Sequence, residues 1–140
     1  MSKMLLSIKP EYVEKILSGQ KRYEFRKFHC RPDIDTIIIY STSPVKQVVA
    51  EVKMIGILEG NLSEIWQKTK DLAGLSETVF LAYYKNKEKA TAYQLGEVTV
   101  YDTPKTLSDY GLSYTPQSFA YIKTRLPKVH NQQKKMEVYQ

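Results

Sequence analysis

Three side chains between Gly19 and Arg26 have the types and spacing that would let them recognise a polar ligand. The segment reads Gly-Gln-Lys-Arg-Tyr-Glu-Phe-Arg and places Lys21, Glu24 and Arg26 within six residues. Lysine and arginine can bind a phosphate or a base carbonyl, and a glutamate can accept hydrogen bonds from an exocyclic amine. The alternative is an exposed salt bridge between Glu24 and Arg26 on one face of a strand, which is common and contributes little to stability.

A helix is expected before this segment and a strand within it. Pro10 suits the first turn of a helix, and Gly19 is the residue type that most often ends one. The aromatic and basic run 21–28 predicts a strand. Because side chains alternate along a strand, Lys21 would point away from Glu24 unless the chain turns or bulges close to the glycine. From the residues alone, a shared side for the three charged side chains therefore depends on such a turn.

The patterns in the rest of the chain predict an α+β fold. Alternating or β-branched runs predict strands, and apolar residues at helical spacing predict helices. The predicted strands cover residues 3–9, 21–28, 37–42, 48–58 and 92–102. The predicted helices lie near 11–18 and 63–89, with Ser63 and Ser76 as N-caps in the second region, and Pro104 is expected to end the last strand. Helices placed so unevenly favour a mixed, curved sheet over a regularly alternating parallel one.

The chain is basic, and its charge is concentrated at its two ends. It contains 21 Lys or Arg and 15 Asp or Glu, which gives a formal net charge of +6. Residues 1–33 hold eight basic and four acidic side chains, and residues 121–140 hold five and one, so the middle of the chain is slightly acidic. A basic face attracts phosphates, although many basic proteins bind no nucleic acid.

Length and composition also limit the class of protein. With 140 residues and 42% hydrophobic content, one domain is expected over 1–127, followed by a polar tail at 128–140 that is expected to fray. Cys30 is the only cysteine, and no Cys/His cluster has zinc spacing, so we predict no disulfide, no metal and no cofactor. No apolar run approaches the roughly 18 residues of a membrane span, and we expect a cytoplasmic protein.

Several segments, taken in order, resemble the ASCH family. The spacing G-x-K-x-x-E-x-R is similar to the family signature, and it lies within LLSIKPEYVEKILSGQKRYEFRK. The later segments IIIYSTSPV, VYDTPKTL and TPQSFAYI also look like family landmarks in family order. The resemblance implies a PUA-like small mixed β-barrel with flanking helices and a cleft between the barrel and the first helix.

The resemblance also implies a site and a function. The cleft residues would be Ser7, Lys9, Lys21, Glu24 and Arg26, and aromatic rings that could stack on bases add Tyr40 and Tyr121 as candidates. The implied function is nucleic-acid binding in a basic cleft, with RNA or a modified nucleotide as the partner.

Two alternatives stay open, and the oligomeric state is not predicted. Some relatives are hydrolases, either ribonucleases or amidohydrolases that act on an acylated nucleoside, and in this chain Lys21 and Glu24 are the catalytic candidates. The amidohydrolases have a threonine nucleophile where this chain has Glu24, which argues against their chemistry, although the carboxylate could act as a general base. The other alternative is a protein-binding transcriptional coregulator.

Overall fold

The computed structural model describes residues 2–122, which form one mixed sheet with helices attached. The six strands are β1 (Ser2–Ile8), β2 (Tyr23–Arg26), β3 (Ile34–Ser41), β4 (Gln47–Asn61), β5 (Lys89–Lys105) and β6 (Phe119–Ile122). Their order in the sheet is β2-β5-β4-β3-β1-β6; β1 and β3 are parallel, and every other pair is antiparallel. The helices are α1 (Pro10–Leu17), α2 (Leu62–Thr69) and α3 (Glu77–Tyr83), with 3-10 turns at Lys70–Leu72 and Leu107–Tyr110. The predicted α+β class is confirmed.

The sheet curves around a core that its two ends share. The main cluster takes alternate residues of β1, β3, β4 and β5 together with the inner face of α1, as Leu6, Ile39 and Tyr93 illustrate. Phe28, just after β2, stacks on Phe119 of β6 with ring centroids 4.2 Å apart, so the two edge strands approach each other. Within the described residues, no backbone ladder joins β2 to β6, and the sheet is open along this seam.

A second cluster packs α2 and α3 against β2 and β5. Its buried residues are Phe25, Ile65, Trp66, Ala73, Phe80, Tyr84, Ala90 and Ala92. Ser76 caps α3 as predicted, since its side chain accepts a hydrogen bond from the backbone N–H of Val79 at 3.2 Å. Asn61 caps α2 in the same way, so the predicted cap at Ser63 was two residues too late. This packing places α3 beside the end of β1 and β2, where the helix forms one wall of a cleft.

Several element boundaries differ from the sequence predictions. The strand predicted at 21–28 covers only Tyr23–Arg26, and the helical region predicted to reach residue 89 ends at Tyr83. Strand β5 runs through Pro104, which is tolerated where the β4–β5 pairing is already irregular. Strand β6 was not predicted. The tail predicted at 128–140 lies outside the described residues, and among the described residues no helix has the length and apolar character needed to cross a membrane.

Candidate functional site

A cleft of about 540 Å³ lies between the end of β1, the start of α1, β2 and α3. Its lining residues are Ser7, Ile8, Lys9, Tyr12, Lys21, Glu24, Phe25, Arg26, Leu75, Val79, Phe80, Ala82, Tyr83 and Gln117. These include five of the seven ligand-binding residues predicted from the sequence. The structure therefore brings together Ser7, Lys9, Lys21, Glu24 and Arg26.

The turn at Gly19 is what brings Lys21 to the same side as Glu24. Gly19 has φ +85°, a left-handed conformation that costs other residues about 1–2 kcal/mol. The backbone N–H of Lys21 donates to the carbonyl of Lys15 at 3.0 Å, so the chain folds back on α1 before β2 begins. Lys21 thus lies ahead of the strand, and its Nζ lies 3.9 Å from Oε1 of Glu24. The predicted need for a turn near this glycine is met.

Lys21 is a buried cation at the floor of the cleft. Its side chain passes beside Gly74, and Nζ donates a 2.7 Å hydrogen bond to the carbonyl of Ala73. Nζ also lies about 5 Å from the centroids of the Tyr12 and Phe25 rings. Only 1% of the residue is exposed, and this burial lowers the pKa of its ammonium group, with further lowering by nearby cations and partial compensation by the Glu24 carboxylate. The lysine is therefore more ready to release a proton than an exposed one.

This lowered pKa predicts a titration that can be followed by NMR. We expect the ε-carbon resonance of Lys21 to titrate below 10.5, the ordinary value for lysine. Because the folded state then releases this proton at a lower pH than the unfolded state, Lys21 makes the free energy of unfolding rise with pH between its folded pKa and 10.5. The free energy of unfolding of the wild type minus that of Lys21→Met should increase across this window. A resonance that titrates at 10.5 or above would contradict the lowered pKa.

Arg26 uses all its hydrogen-bond donors within the protein. Nε and Nη2 donate to Oε2 of Glu24 at 3.1 and 2.8 Å, and Nη2 also donates to the carbonyl of Ser7 at 3.0 Å. Nη1 donates to the carbonyl and to Oγ of Ser118 at 3.3 and 3.0 Å. A guanidinium group has five N–H donors, and five bonds are made. Arg26 therefore links β2 to β1 and to the residue before β6 across the open seam, and has no N–H left for a ligand.

Glu24 presents one unpaired oxygen. Oε2 accepts both bonds from Arg26, whereas the buried Oε1 accepts no hydrogen bond, the only such side-chain atom found among residues 2–122. Lys21 Nζ is near but beyond hydrogen-bonding distance. A buried acceptor without a donor costs about 1–3 kcal/mol, so a ligand N–H at this position would be stabilised. Glu24 is thus held in place by one oxygen, and its other oxygen has an unused acceptor position.

The wall opposite these charges is apolar. Leu75 and the α3 residues Val79, Phe80, Ala82 and Tyr83 form it. Val79 is 42% exposed and Tyr83 38% exposed, so both can contact a molecule that enters. The exposed Lys27 lies beside this wall, with Nζ 4.5 Å from the centroid of the Tyr83 ring. The cleft therefore combines a charged floor, an apolar side and a cation near the apolar side.

The structure does not bring Tyr40 or Tyr121 to this cleft. Tyr40 is 3% exposed and packs with Leu5 and Ile38 on the opposite face of the sheet. Tyr121 packs edge-on against Phe119, and the Arg31 guanidinium lies 4.0 Å from its ring centroid.

The sequence analysis also missed cleft residues. Tyr12, Val79 and Tyr83 had been assigned only to helices, although Tyr83 combined an aromatic ring with a neighbouring basic run. Gln117 lay in the segment TPQSFAYI, whose resemblance to a family landmark was the one available signal.

Comparison with known proteins identifies the family. The family model described as "ASCH domain" matches residues 6–103, well over half of the chain. The chain belongs to the ASCH domain family. The match includes the whole G-x-K-x-x-E-x-R segment and α3, and confirms the family resemblance found in the sequence.

Solved structures share the fold of this ASCH domain. The crystal structure of ASCH from Zymomonas mobilis superposes with a TM-score of 0.78 at 30% identity, covering 86% of this chain and 87% of that one. The crystal structure of a mutant form of the same Zymomonas mobilis protein gives a TM-score of 0.79 at 29% identity, with 88% and 91% covered.

Curated relatives are similar over part of their length. An "ASCH domain-containing ribonuclease" from Zymomonas mobilis is 36% identical over 92 residues, which are 65% of this chain and 62% of that protein. "Large ribosomal subunit protein uL22" from Ureaplasma parvum is 36% identical over 87 residues, 62% of this chain but 28% of that protein. The ASCH domain described here thus spans less than two thirds of the length of either relative.

Proposed function

We propose that this ASCH domain binds RNA in the cleft above Lys21, Glu24 and Arg26. The observation that carries the proposal is the buried, unpaired Oε1 of Glu24, which lies beside a lysine and opposite an apolar wall. This combination suits a ligand that is aromatic and has both hydrogen-bond donors and acceptors. Relatives named as a ribonuclease and as a protein of the large ribosomal subunit support RNA as that ligand.

The charges around the cleft support a nucleic-acid partner. Lys9 lines the cleft and is exposed, and Lys27 is exposed beside Tyr83, so both can reach the phosphates of a bound strand. The chain as a whole carries a formal net charge of +6. Single-stranded nucleic acids are commonly held by such cations together with aromatic side chains.

We expect the affinity for single-stranded RNA to fall with salt, and both lysines to contribute. For single strands, each phosphate contact contributes about 0.7 to the slope of log affinity against log salt. Lys9→Ala and Lys27→Ala should therefore each weaken binding at low salt and reduce this slope by about 0.7, measured by fluorescence anisotropy with a labelled octanucleotide.

Lys68→Ala is the matched control for this measurement. Lys68 is an exposed lysine of α2 that pairs with Glu64 and does not line the cleft. Equal losses in Lys68→Ala and in the two cleft variants would point to nonspecific attraction by net charge. An affinity that does not change with salt would contradict the electrostatic contribution.

RNA cleavage is a second candidate, favoured by the lowered pKa of Lys21 beside a carboxylate and by the relative named a ribonuclease. In this reaction Oε1 of Glu24 would take the proton of a 2′-hydroxyl, whose oxygen forms a bond to the adjacent phosphorus. The bond from phosphorus to the 5′-oxygen would break, and Lys21 would give that oxygen a proton. The products would be a 2′,3′-cyclic phosphate and a 5′-hydroxyl end.

Product analysis tests this second candidate. End-labelled RNA should yield the cyclic phosphate with the wild type and lose this product with Glu24→Gln. If the wild type and Glu24→Gln give the same small amount of cyclic phosphate, the cleavage comes from a contaminating nuclease. The cleft then binds RNA without cleaving it.

A further inference from the structure

We propose that the cleft accepts one unstacked RNA base, with Glu24 Oε1 and Lys21 Nζ contacting the base edge while the phosphates stay outside. This inference rests on the proposed RNA binding and specifies which part of the RNA enters. It is an alternative to RNA cleavage, in which the same two atoms would act on the ribose-phosphate backbone.

The floor of the cleft does not suit a phosphate. Arg26, the cation that phosphates would most readily bind, has donated all five N–H groups to Glu24, Ser7 and Ser118. Lys21 Nζ is also at the floor, but the buried Oε1 of Glu24 lies 3.9 Å from it and is an acceptor, which would repel an anion and attract an N–H. Phosphate oxygens carry no donor at neutral pH, so the group that reaches the floor must supply one.

A base edge supplies the matching pair. The Watson–Crick edge of each RNA base has an N–H donor next to an acceptor, and unpaired bases are recognised through such edges. In the cleft, the acceptor Oε1 of Glu24 lies 3.9 Å from the donor Nζ of Lys21. A base N–H can therefore bond to the carboxylate while the neighbouring nitrogen or oxygen of the base accepts from the lysine. Neither a sugar nor a phosphate offers this pair together with an aromatic face.

The apolar wall suits the face of a base. Tyr83 and Val79 are partly exposed on this wall, and the cleft volume of about 540 Å³ is ample for one base. Stacking on an aromatic side chain contributes to single-strand binding whatever the base, because every base has a π face. Lys27, close to the Tyr83 ring, is then placed to meet a flanking phosphate outside the cleft.

The test compares two octanucleotides that differ only in their bases. One is an ordinary single-stranded RNA, and the other has the same ribose-phosphate backbone with abasic positions throughout. We expect the wild type to bind the ordinary RNA at least 10-fold more tightly than the abasic strand, as measured by anisotropy at one salt concentration.

Two variants should reduce this preference. In Glu24→Gln the amide oxygen is required as the acceptor for Arg26, which leaves the amide N–H₂ where Oε1 stood and replaces an acceptor with a donor. We expect this variant to lose a large part of the preference for the ordinary RNA, while the stacking contribution of Tyr83 remains. Tyr83→Ala should weaken binding of the ordinary RNA about 5- to 100-fold through lost stacking, whereas Tyr83→Phe should retain it.

Tyr114→Ala is the control, because Tyr114 is exposed but does not line the cleft, and it should bind like the wild type. Equal binding of the two strands by the wild type would overturn base entry and leave RNA binding through phosphates intact. A wild type that binds neither strand would overturn the proposed function as well. A preference for the ordinary RNA that is as large in Glu24→Gln as in the wild type would overturn the role of this carboxylate in contacting the base.

Discussion

Replacing Arg26 with alanine is expected to lower the free energy of unfolding by about 3–5 kcal/mol, the usual cost of removing one partner of a buried ion pair. The side chain of Arg26 is nine-tenths buried and makes five hydrogen bonds, two of them to Glu24. Its removal leaves the Glu24 carboxylate buried without its main partner, and leaves the carbonyls of Ser7 and Ser118 without these donors. It also removes the side-chain link across the open seam. Urea unfolding followed by circular dichroism measures the change.

Arg22→Ala is the matched control, because Arg22 is exposed and makes one side-chain hydrogen bond, to the carbonyl of Gly96 at 3.0 Å. Its loss should cost less than about 1 kcal/mol. A lysine at position 26 cannot reproduce the planar fork of the guanidinium, so Arg26→Lys should also be clearly destabilised. If Arg26→Ala costs no more than Arg22→Ala, the buried network contributes nothing to stability.

A double variant separates the stranded carboxylate from the lost link. Glu24→Gln in the Arg26→Ala background removes the carboxylate that has lost Arg26, without restoring the contacts across the seam. It also removes the negative charge 3.9 Å from the ammonium of Lys21. We expect it to recover part of the lost stability, because burying a neutral amide costs less than burying a charge. The part that is not recovered combines the lost bonds to Ser7 and Ser118 with the lost attraction between Glu24 and Lys21.

The meeting of these charged residues was predicted mainly from the family resemblance, and local chemistry supplied the condition for it. Gly19 marked the end of a helix, and the alternation of strand side chains required a turn there if Lys21 was to face Glu24. The structure has this turn at φ +85°. The family resemblance then indicated a cleft beside the first helix, and Ser7 and Lys9 line it.

The role of each charge could not be predicted, because it depends on contacts between distant parts of the chain. Both Lys21 and Arg26 were predicted to contact a ligand, but Arg26 is fully occupied by groups such as Ser118, 92 residues away. Lys21 is bonded to Ala73, 52 residues away. No local pattern specifies such partners.

Sheet geometry explains why Tyr40 was an unsuccessful choice for a cleft ring. Neighbouring residues on a strand face opposite sides, and on β3 the main core takes Ile37 and Ile39. Tyr40 therefore joins Ile38 on the other face, where it is packed against Tyr101, Leu107 and Tyr110. Which side chains of β3 face the main core depends on the position of β3 between β1 and β4 in the sheet. The order of the strands along the chain does not reveal this position.

Replacing Gly74 with alanine is expected to lower the free energy of unfolding by about 2–5 kcal/mol, and to disturb the cleft as well. Gly74 has φ +74°, where a side chain costs about 1–2 kcal/mol. A Cβ there would also lie 2.6, 2.7 and 2.9 Å from Cβ, Cγ and Cδ of Lys21. Lys21 is buried and cannot move aside freely, so this overpacking should add about 1–3 kcal/mol. Urea unfolding measures the loss, and weaker RNA binding should accompany it because Nζ is displaced from Glu24.

Gly19→Ala separates the clash from the backbone strain. Gly19 has a similar positive φ of +85°, but a Cβ there would meet nothing within 4 Å, so only the conformational cost of about 1–2 kcal/mol applies. The excess cost of Gly74→Ala over Gly19→Ala therefore measures the packing of the Lys21 stem. The Lys21→Gly background lacks Cβ, Cγ and Cδ of Lys21, so the excess cost of Gly74→Ala should vanish there. Comparing the two backgrounds is a double-mutant cycle, which isolates the interaction between residues 21 and 74. Equal costs of Gly74→Ala and Gly19→Ala in the wild-type background would mean that Lys21 is not held against Gly74.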